Sequence, residues 1–231
     1  MMQNPGRGVF DTVAPHDLVR VRVSALCFEG KPPAWAAAAL DEAPWVVRRR
    51  QQLGQDGSLP VGLRGAKRSE RAAAWLPTEA IHEVRRPQDL VYVEGLRDVP
   101  ALQSLGMATD IFTSLGLVNW GPGGSVGFEL ATGRPTVTPA SDLDLILVAG
   151  SLLSLDLANT LLHRLSKLPV RADLLIETPQ GAVALAEYAG GGPVLLRRLQ
   201  GPVLLKEPMA LWTQDHADAC LEVKRDFEVS Q

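Results

Sequence analysis

The sequence is poor in the residues that build disulfide frameworks and zinc sites. Its 231 residues include two cysteines, Cys27 and Cys220, which stand far apart along the chain. The four histidines are scattered and form neither an i, i+4 pair nor a cluster with cysteine. These scarcities exclude a disulfide-stapled scaffold and a zinc site of thiolate or imidazole ligands. Any metal ion must therefore be held by oxygen ligands, which suits Mg²⁺ or Mn²⁺.

The sequence also lacks long apolar runs. No stretch approaches the roughly 20 apolar residues of a membrane span. Residues 1–7 lack the basic-then-apolar order of a secretory signal, so we expect a cytoplasmic protein without a membrane partner. With 46% hydrophobic and 21% charged residues, the chain has the composition of a globular protein that buries a substantial core.

Charge is distributed unevenly between the two parts of the chain. Residues 1–88 carry 13 Lys and Arg against nine Asp and Glu, whereas residues 89–231 carry 10 against 17. The positive excess is too small to indicate a nucleic-acid partner, but it suits a phosphorylated cofactor or an acidic protein. Pro87 biases Arg86 away from helix, as in a linker. We therefore predict two domains, 1–88 and 89–231.

Most of the positive charge in the first domain is concentrated in residues 48–71. This segment holds seven basic and two acidic residues. A solvated charged face is one interpretation. Gly62 and Gly65 within the segment favour a second one, a loop that binds anions through its backbone and its cations. Four cations are candidate substrate ligands: Arg48, Arg64, Lys67 and Arg68.

An acidic pair lies in the aliphatic run from Ser141 to Val148. If this run is a strand, Asp142 and Asp144 point to the same face, with Cα atoms roughly 6.5–7 Å apart. Two carboxylates at that separation can converge on two divalent cations about 3.5–4 Å apart. In the simpler alternative, Asp142 caps a turn and Asp144 sits at an exposed edge.

A third acid is predicted on the following strand. The pattern after the acidic pair indicates a helix that begins at Ser151 or Ser154, and then a strand at 170–177. Strand, helix and strand with this connection favour parallel pairing with a helix on one face of the sheet. Asp173 then lies beside the acidic pair as the third carboxylate. Glu177 points to the same face about 13 Å further along and is the reserve candidate.

A glycine-rich stretch precedes the acidic pair. Residues 121–127 contain four glycines and Ser125, but they match neither G-x-G-x-x-G nor a Walker A loop. Gly124-Ser125, then Asp142-Leu143-Asp144, then Asp173 resembles the nucleotidyltransferase superfamily of the DNA polymerase β type. Sixteen residues separate Ser125 from Asp142, a longer connection than is common there.

The superfamily resemblance implies roles for these residues. The three acids would hold two Mg²⁺ or Mn²⁺ ions around a triphosphate, and Asp173 could also accept the proton of the attacking hydroxyl. Gly124 and Ser125 would contact the phosphates, and Ser141 beside the acids is a further candidate substrate ligand.

A narrower resemblance covers nearly the whole chain. Six short segments in order are similar to the malonate decarboxylase holo-acyl-carrier-protein synthase family, whose members are phosphoribosyl-dephospho-CoA transferases. The segments are Pro44 to Arg49, Pro60 to Gly65, Ala73 to Leu76, Gly127 to Gly133, Ser141 to Leu145, and Glu177 to Pro179. This resemblance implies transfer of the prosthetic group from triphosphoribosyl-dephospho-CoA to a serine of the decarboxylase's acyl carrier subunit, with release of pyrophosphate.

Together these features predict an α+β protein. Residues 1–88 would form a mixed α/β domain that recognises substrate or carrier protein. Residues 89–231 would form a nucleotidyltransferase-like mixed sheet with helices on one face. A generic nucleotidyltransferase would use the same acids on another acceptor. A non-catalytic module that docks a carrier protein is disfavoured by the presence of Asp142, Asp144 and Asp173 together.

Overall fold

The computed structural model describes residues 13–67, 69–91 and 97–212, and the backbone of 220–221. It has two β-sheets and five α-helices in these ranges. No helix in the described part of the chain is long and apolar enough to cross a membrane.

The first sheet is antiparallel and has the strand order β4-β3-β2-β1-β5. Its strands are β1 (Leu18–Val21), β2 (Trp45–Arg48), β3 (Leu59–Arg64), β4 (Arg71–Leu76) and β5 (Ile81–Arg85). Helix α1 (Ala36–Glu42) packs against one face, where alternate strand residues such as Val19 and Val61 are fully buried. Period-two alternation places the other side chains of these strands on the opposite face.

The second sheet is mixed and has the order β12-β11-β10-β9-β8-β7-β6. Its strands are β6 (Trp120–Pro122), β7 (Leu143–Val148), β8 (Ala172–Thr178), β9 (Gly181–Ala184), β10 (Val194–Arg198), β11 (Gly201–Leu205) and β12 (Cys220–Leu221). Only β7 and β8 pair in parallel among the described strands. The parallel pairing predicted from the sequence is confirmed.

Helices cover one face of the second sheet. They are α2 (Pro100–Ser114), α4 (Leu155–Leu165) and α5 (Leu185–Ala189), whereas α3 (Gly124–Thr132) begins against Asp144. Leu143, Leu145 and Leu147 share a core with residues of α2, α4 and α5. Ser154 caps α4 by accepting a hydrogen bond from the Leu157 N–H at 3.2 Å. The alternate residues of β7, including Asp144, therefore face away from α2, α4 and α5.

The two sheets meet through a small apolar cluster. Leu18 and Trp45 from the first sheet pack with Phe128 and Ala131 of α3 and with Leu90. Because these side chains are almost fully buried, they hold the outer face of the first sheet against α3. This contact positions the first sheet beside the acidic strand.

Candidate active site

The acidic pair lies at the start of β7. The strand begins at Leu143, so Asp144 is its second residue and Asp142 precedes it, whereas the sequence predicted a strand from Ser141. A turn explains the later start, because the Ser141 hydroxyl accepts a hydrogen bond from the Thr138 N–H at 3.0 Å. Asp142 and Asp144 are both half-buried. Ser141 thus shapes the approach to the acids.

The sheet register places Asp173 level with Asp144. These two residues are direct partners across the parallel β7–β8 pair. Glu177 is instead opposite Val148, at the far end of the strand. Since a strand rises about 3.3 Å per residue, Glu177 lies about 13 Å beyond the level of the acids. Parallel pairing therefore brings Asp173, and not Glu177, to the acidic pair.

Asp173 is held by the arginine two residues before it. Its Oδ1 accepts hydrogen bonds from Nε and Nη2 of Arg171, at 3.0 and 2.9 Å. The Arg171 side chain is 77% exposed and that of Asp173 is 45% exposed. An ion pair this exposed to solvent contributes little to stability, and another cation can easily replace its arginine.

A glycine turn brings the start of α3 against Asp144. The Gly123 N–H donates to the Asp144 backbone oxygen at 2.9 Å. Gly124 opens the helix with φ of +54°, and a Cβ there would lie 1.8 Å from Asp144 Oδ2. Only glycine permits this approach. The first turn of α3, including the buried Ser125, therefore adjoins the acid and provides backbone N–H groups that favour anions.

A buried carboxylate fixes the connection between α3 and β7. Glu129 accepts two hydrogen bonds from Arg97, at 2.7 and 2.8 Å, and one each from the N–H groups of Thr136 and Val137 at 2.7 Å. Burial alone would raise the pKa of Glu129, but these hydrogen bonds and the Arg97 charge hold it below its ordinary value. Thr136 also donates to the Ser125 backbone oxygen, so this connection is tied to the glycine turn.

The donor type of these acids suits a divalent cation, although their side chains are not grouped as a metal site. Carboxylate oxygens are the ligands that Mg²⁺ prefers, and the register sets Asp144 beside Asp173. In the described part of the chain, no three Asp, Glu, His or Cys side chains are grouped closely enough to hold a metal ion. Carboxylates repel one another without a cation, and Asp173 is bonded to Arg171. Asp142, Asp144 and Asp173 are thus near one another without forming a closed ligand cluster.

The four basic candidates differ in whether their side chains reach the glycine turn. Arg64 lines a cavity beside the glycine turn. Arg48 does not reach it, because its side chain is buried and donates to backbone oxygens, including that of Gln51 at 3.0 Å. Lys67 is exposed and lies off the cavity. Arg68 lies outside the described residues.

This cavity, which we call the junction cavity, occupies about 410 Å³ between the outer face of the first sheet and the glycine turn. Gly62 and Ala73 line it on the first sheet, and Gly124 and Phe128 line it on α3. Through Gly123 and Gly124 it adjoins the turn that contacts Asp144.

Two cations that the sequence analysis did not single out also line the junction cavity. They are Arg49 and Arg71. Strand alternation was the signal that could have found Arg49, because Arg48 shares the buried face of β2 with Val46 and the next residue must turn away. Arg71 is the direct cross-strand partner of Arg64. That pairing is a long-range property which the segment alone does not specify.

Glu177 joins β8 to the segments that flank β1 and β2. Its carboxylate pairs with Arg50 and lies 3.4 Å from His16 Nε2. Burial raises the pKa of Glu177, but the hydrogen bond from His16 and the charge of Arg50 outweigh it and leave the pKa below its ordinary value. The ionised carboxylate therefore joins the first sheet to β8.

The two parts of the chain match two models of one family. Residues 14–87 match the model of the phosphoribosyl-dephospho-CoA transferase MdcG N-terminal domain. Residues 89–208 match the model of the phosphoribosyl-dephospho-CoA transferase MdcG C-terminal domain. The chain belongs to the MdcG family.

Individual relatives extend the MdcG match over most of the chain. A protein of Pseudomonas aeruginosa named phosphoribosyl-dephospho-CoA transferase is 40% identical over 197 residues, which is 84% of this chain and 92% of its own length. A protein of the same name from Klebsiella pneumoniae is 37% identical over 200 residues, 85% of this chain and 96% of its own. No solved structure matches the chain significantly.

Membership of the MdcG family confirms the resemblance predicted from the six segments. It also makes the chain a transferase, because the family and its named members are transferases. The alternative of a non-catalytic docking module is therefore not supported.

Proposed function

We propose that this MdcG-family chain transfers the phosphoribosyl-dephospho-CoA group from triphosphoribosyl-dephospho-CoA to a serine of the malonate decarboxylase acyl carrier subunit. Family membership supports the donor class. One structural observation carries the site assignment: Asp144 and Asp173 are partners across parallel strands, and the glycine turn at Gly124 touches Asp144. We further propose that β6, α3, β7 and β8 form a nucleotidyltransferase-like unit.

The proposed reaction is an in-line displacement at the α-phosphorus. The serine oxygen of the carrier forms a bond to this phosphorus, while the bond between the α-phosphorus and the bridging oxygen of pyrophosphate breaks. The electron pair of the broken bond leaves with pyrophosphate. Asp173, at the open edge of the acid group, is the residue that accepts the serine proton. No redox partner or further reactant is needed.

The acids would hold the divalent cations that this displacement requires. Asp142 and Asp144 are the ligands at the start of β7, and Asp173 supplies a third carboxylate from β8 once Arg171 is displaced. When bound, Mg²⁺ or Mn²⁺ lowers the pKa of the attacking hydroxyl and neutralises charge on the leaving pyrophosphate.

The start of α3 would bind the phosphates that leave. Backbone N–H groups of its first turn have no partner within the helix, and the helix dipole adds positive potential there. Gly124 allows phosphate oxygens to approach the backbone closely, as it allows the Asp144 side chain to do. Ser125 adds a hydroxyl in the same turn.

The proposal is tested by the intact mass of the apo carrier subunit. After incubation with the chain, Mg²⁺ and triphosphoribosyl-dephospho-CoA, the subunit should gain one phosphoribosyl-dephospho-CoA group. Asp144→Asn should abolish the gain, whereas Asp41→Asn, on the exposed face of α1, should leave it unchanged. A gain of AMP with ATP as donor, and none with the CoA derivative, would instead establish a generic nucleotidyltransferase.

A further inference from the structure

The junction cavity has the size and position of a small-ligand site. Its volume of about 410 Å³ falls within the roughly 300–1,000 Å³ of known ligand pockets. It is recessed between the first sheet and α3, and it reaches Gly123 and Gly124 at the turn beside Asp144. A molecule whose triphosphate lies at this turn can extend directly into the cavity.

The walls of the cavity combine apolar and cationic surfaces. Leu18, Leu90 and Phe128 form apolar parts of its lining. The cations are Arg49 and Arg71, which are exposed, and Arg64, which is half-buried. Among the described residues that line the cavity, none is acidic. An anion that also carries a flat apolar ring matches this combination.

Small residues leave a shallow floor across three strands of the first sheet. Gly62 on β3 is paired with Val47 on β2 and with Ala73 on β4. A Cβ at Gly62 would lie 3.2 Å from the nearest Val47 methyl carbon and 3.5 Å from Arg49 Cγ. The stem of Arg49 therefore lies close over the glycine. A larger side chain at position 62 would displace this stem, and one at position 73 would narrow the cavity.

We infer that the junction cavity binds the adenosine-diphosphate end of the dephospho-CoA donor. This inference rests on the proposed function, since the donor comes from it. Dephospho-CoA carries a diphosphate between its adenosine and its pantetheine arm. The cations that bind this second anionic group must be different from the metal ions that the acids would hold. Arg49, Arg64 and Arg71 bind the diphosphate, while the purine lies on the floor around Gly62. The first domain is thus a donor-binding domain.

Direct binding of dephospho-CoA tests the inference without requiring transfer. This probe lacks the triphosphate, so calorimetric titration of the full chain with it measures binding that does not depend on the triphosphate group. Arg49→Gln and Arg64→Gln should each weaken binding roughly tenfold, because each removes a charge-assisted hydrogen bond. Ala73→Leu, which fills the floor without changing charge, should weaken it similarly. Lys31→Gln removes an exposed cation that does not line the cavity and should leave the affinity unchanged.

The outcomes separate this inference from the proposed function. If dephospho-CoA does not bind the wild-type chain, or binds the Arg49→Gln and Ala73→Leu variants equally well, the inference is wrong even when transfer is normal. If these variants lose affinity for the acyl carrier subunit and keep it for dephospho-CoA, the cavity belongs to the carrier protein and the inference is again wrong. If dephospho-CoA binds as expected but no transfer occurs, the inference stands and the proposed reaction fails.

Discussion

At the scale of single residues, the two acids of β8 share one face of the strand but have different surroundings. Asp173 is half-exposed, level with Asp144 and paired with a flexible arginine. Glu177 is 16% exposed and is bonded to Arg50 and His16 from the first domain. The first environment suits a ligand that must exchange partners, and the second suits a permanent structural contact.

We predict that Asp173→Asn lowers Mg²⁺-dependent transfer by roughly a hundredfold, equivalent to about 2.7 kcal/mol of barrier. The replacement removes a ligand charge and the acceptor of the serine proton. Glu177→Gln should keep the rate within a few-fold and should lower the melting temperature. Initial rates of carrier modification and thermal melts of both variants check this ranking, and the reverse ranking would remove Asp173 from the site.

A second residue-scale prediction concerns pH and the buried Asp17. Burial raises the pKa of this carboxyl to about 6, although the hydrogen bond from the Ala14 N–H opposes the shift. The folded protein therefore binds the proton more tightly than the unfolded chain, so Asp17 lowers stability above pH 6. That loss is relieved as the pH falls through 6 towards 4.

Asp17→Asn should thus stabilise the protein at pH 8 by up to about 3 kcal/mol, and the gain should shrink as the pH approaches 4. Urea unfolding at several pH values measures it. Asp41→Asn, at an exposed position of α1, is the control for loss of a carboxylate and should leave the free energy of unfolding nearly unchanged. A gain for Asp17→Asn that is constant with pH would contradict the assignment.

At the scale of elements, the start of α3 depends on one glycine. Gly124 combines a positive φ with a contact that leaves no room for a Cβ beside Asp144. The connection from α3 to β7 is tied to the same turn through Thr136 and Glu129. Helix, turn and acidic strand consequently form one unit, in which displacement of the turn also displaces the acid.

We therefore predict that Gly124→Ala abolishes transfer, measured by carrier mass, and lowers the melting temperature. The alanine must push Asp144 aside and hold a strained backbone. Gly106→Ala is the matched control, because a Cβ there meets no atom within 4 Å and the residue lies inside α2. It should preserve transfer and raise stability by about 0.5–1 kcal/mol. Equal activity of the two variants would show that the turn does not position the site.

At the scale of the whole molecule, two kinds of contact join the sheets. The apolar cluster around Trp45 and Phe128 buries both partners. The ion pair between Arg50 and Glu177 lies at another point of the same junction, and both of its side chains are largely buried. The junction cavity lies along this boundary, so its shape depends on how firmly the two domains are held.

A double-mutant cycle of Arg50→Gln and Glu177→Gln should give a coupling energy of about 1–2 kcal/mol in denaturant unfolding. The reason is that each single change leaves a largely buried polar partner without its counterpart. The cycle of Arg20 and Glu83, an exposed pair at 3.7 Å, is the comparison and should give less than about 0.5 kcal/mol. If the coupling energy of the first cycle is no larger than that of the second, the ion pair of Arg50 and Glu177 does not stabilise the junction between the two sheets.

The sequence by itself determined the features that depend on neighbouring residues. A compact aliphatic run indicated the strand of Asp144, a serine at position 151 or 154 indicated the start of α4, and the intervening helix indicated parallel pairing with β8. These signals are local, because side-chain direction, capping and connection length are set within a few residues. The motif order was also sufficient to indicate the family.

Only the tertiary structure decided which residues meet. The register of β7 and β8 put Asp173 level with Asp144 and sent Glu177 to the domain junction. The alternation of side chains along β2 directs Arg48 into the protein interior and Arg49 into the junction cavity. Register and strand order depend on pairing between distant segments, and each one-residue shift exchanges the faces of a strand. Composition and spacing therefore identified the basic segment, while folding selected the cations that reach the site.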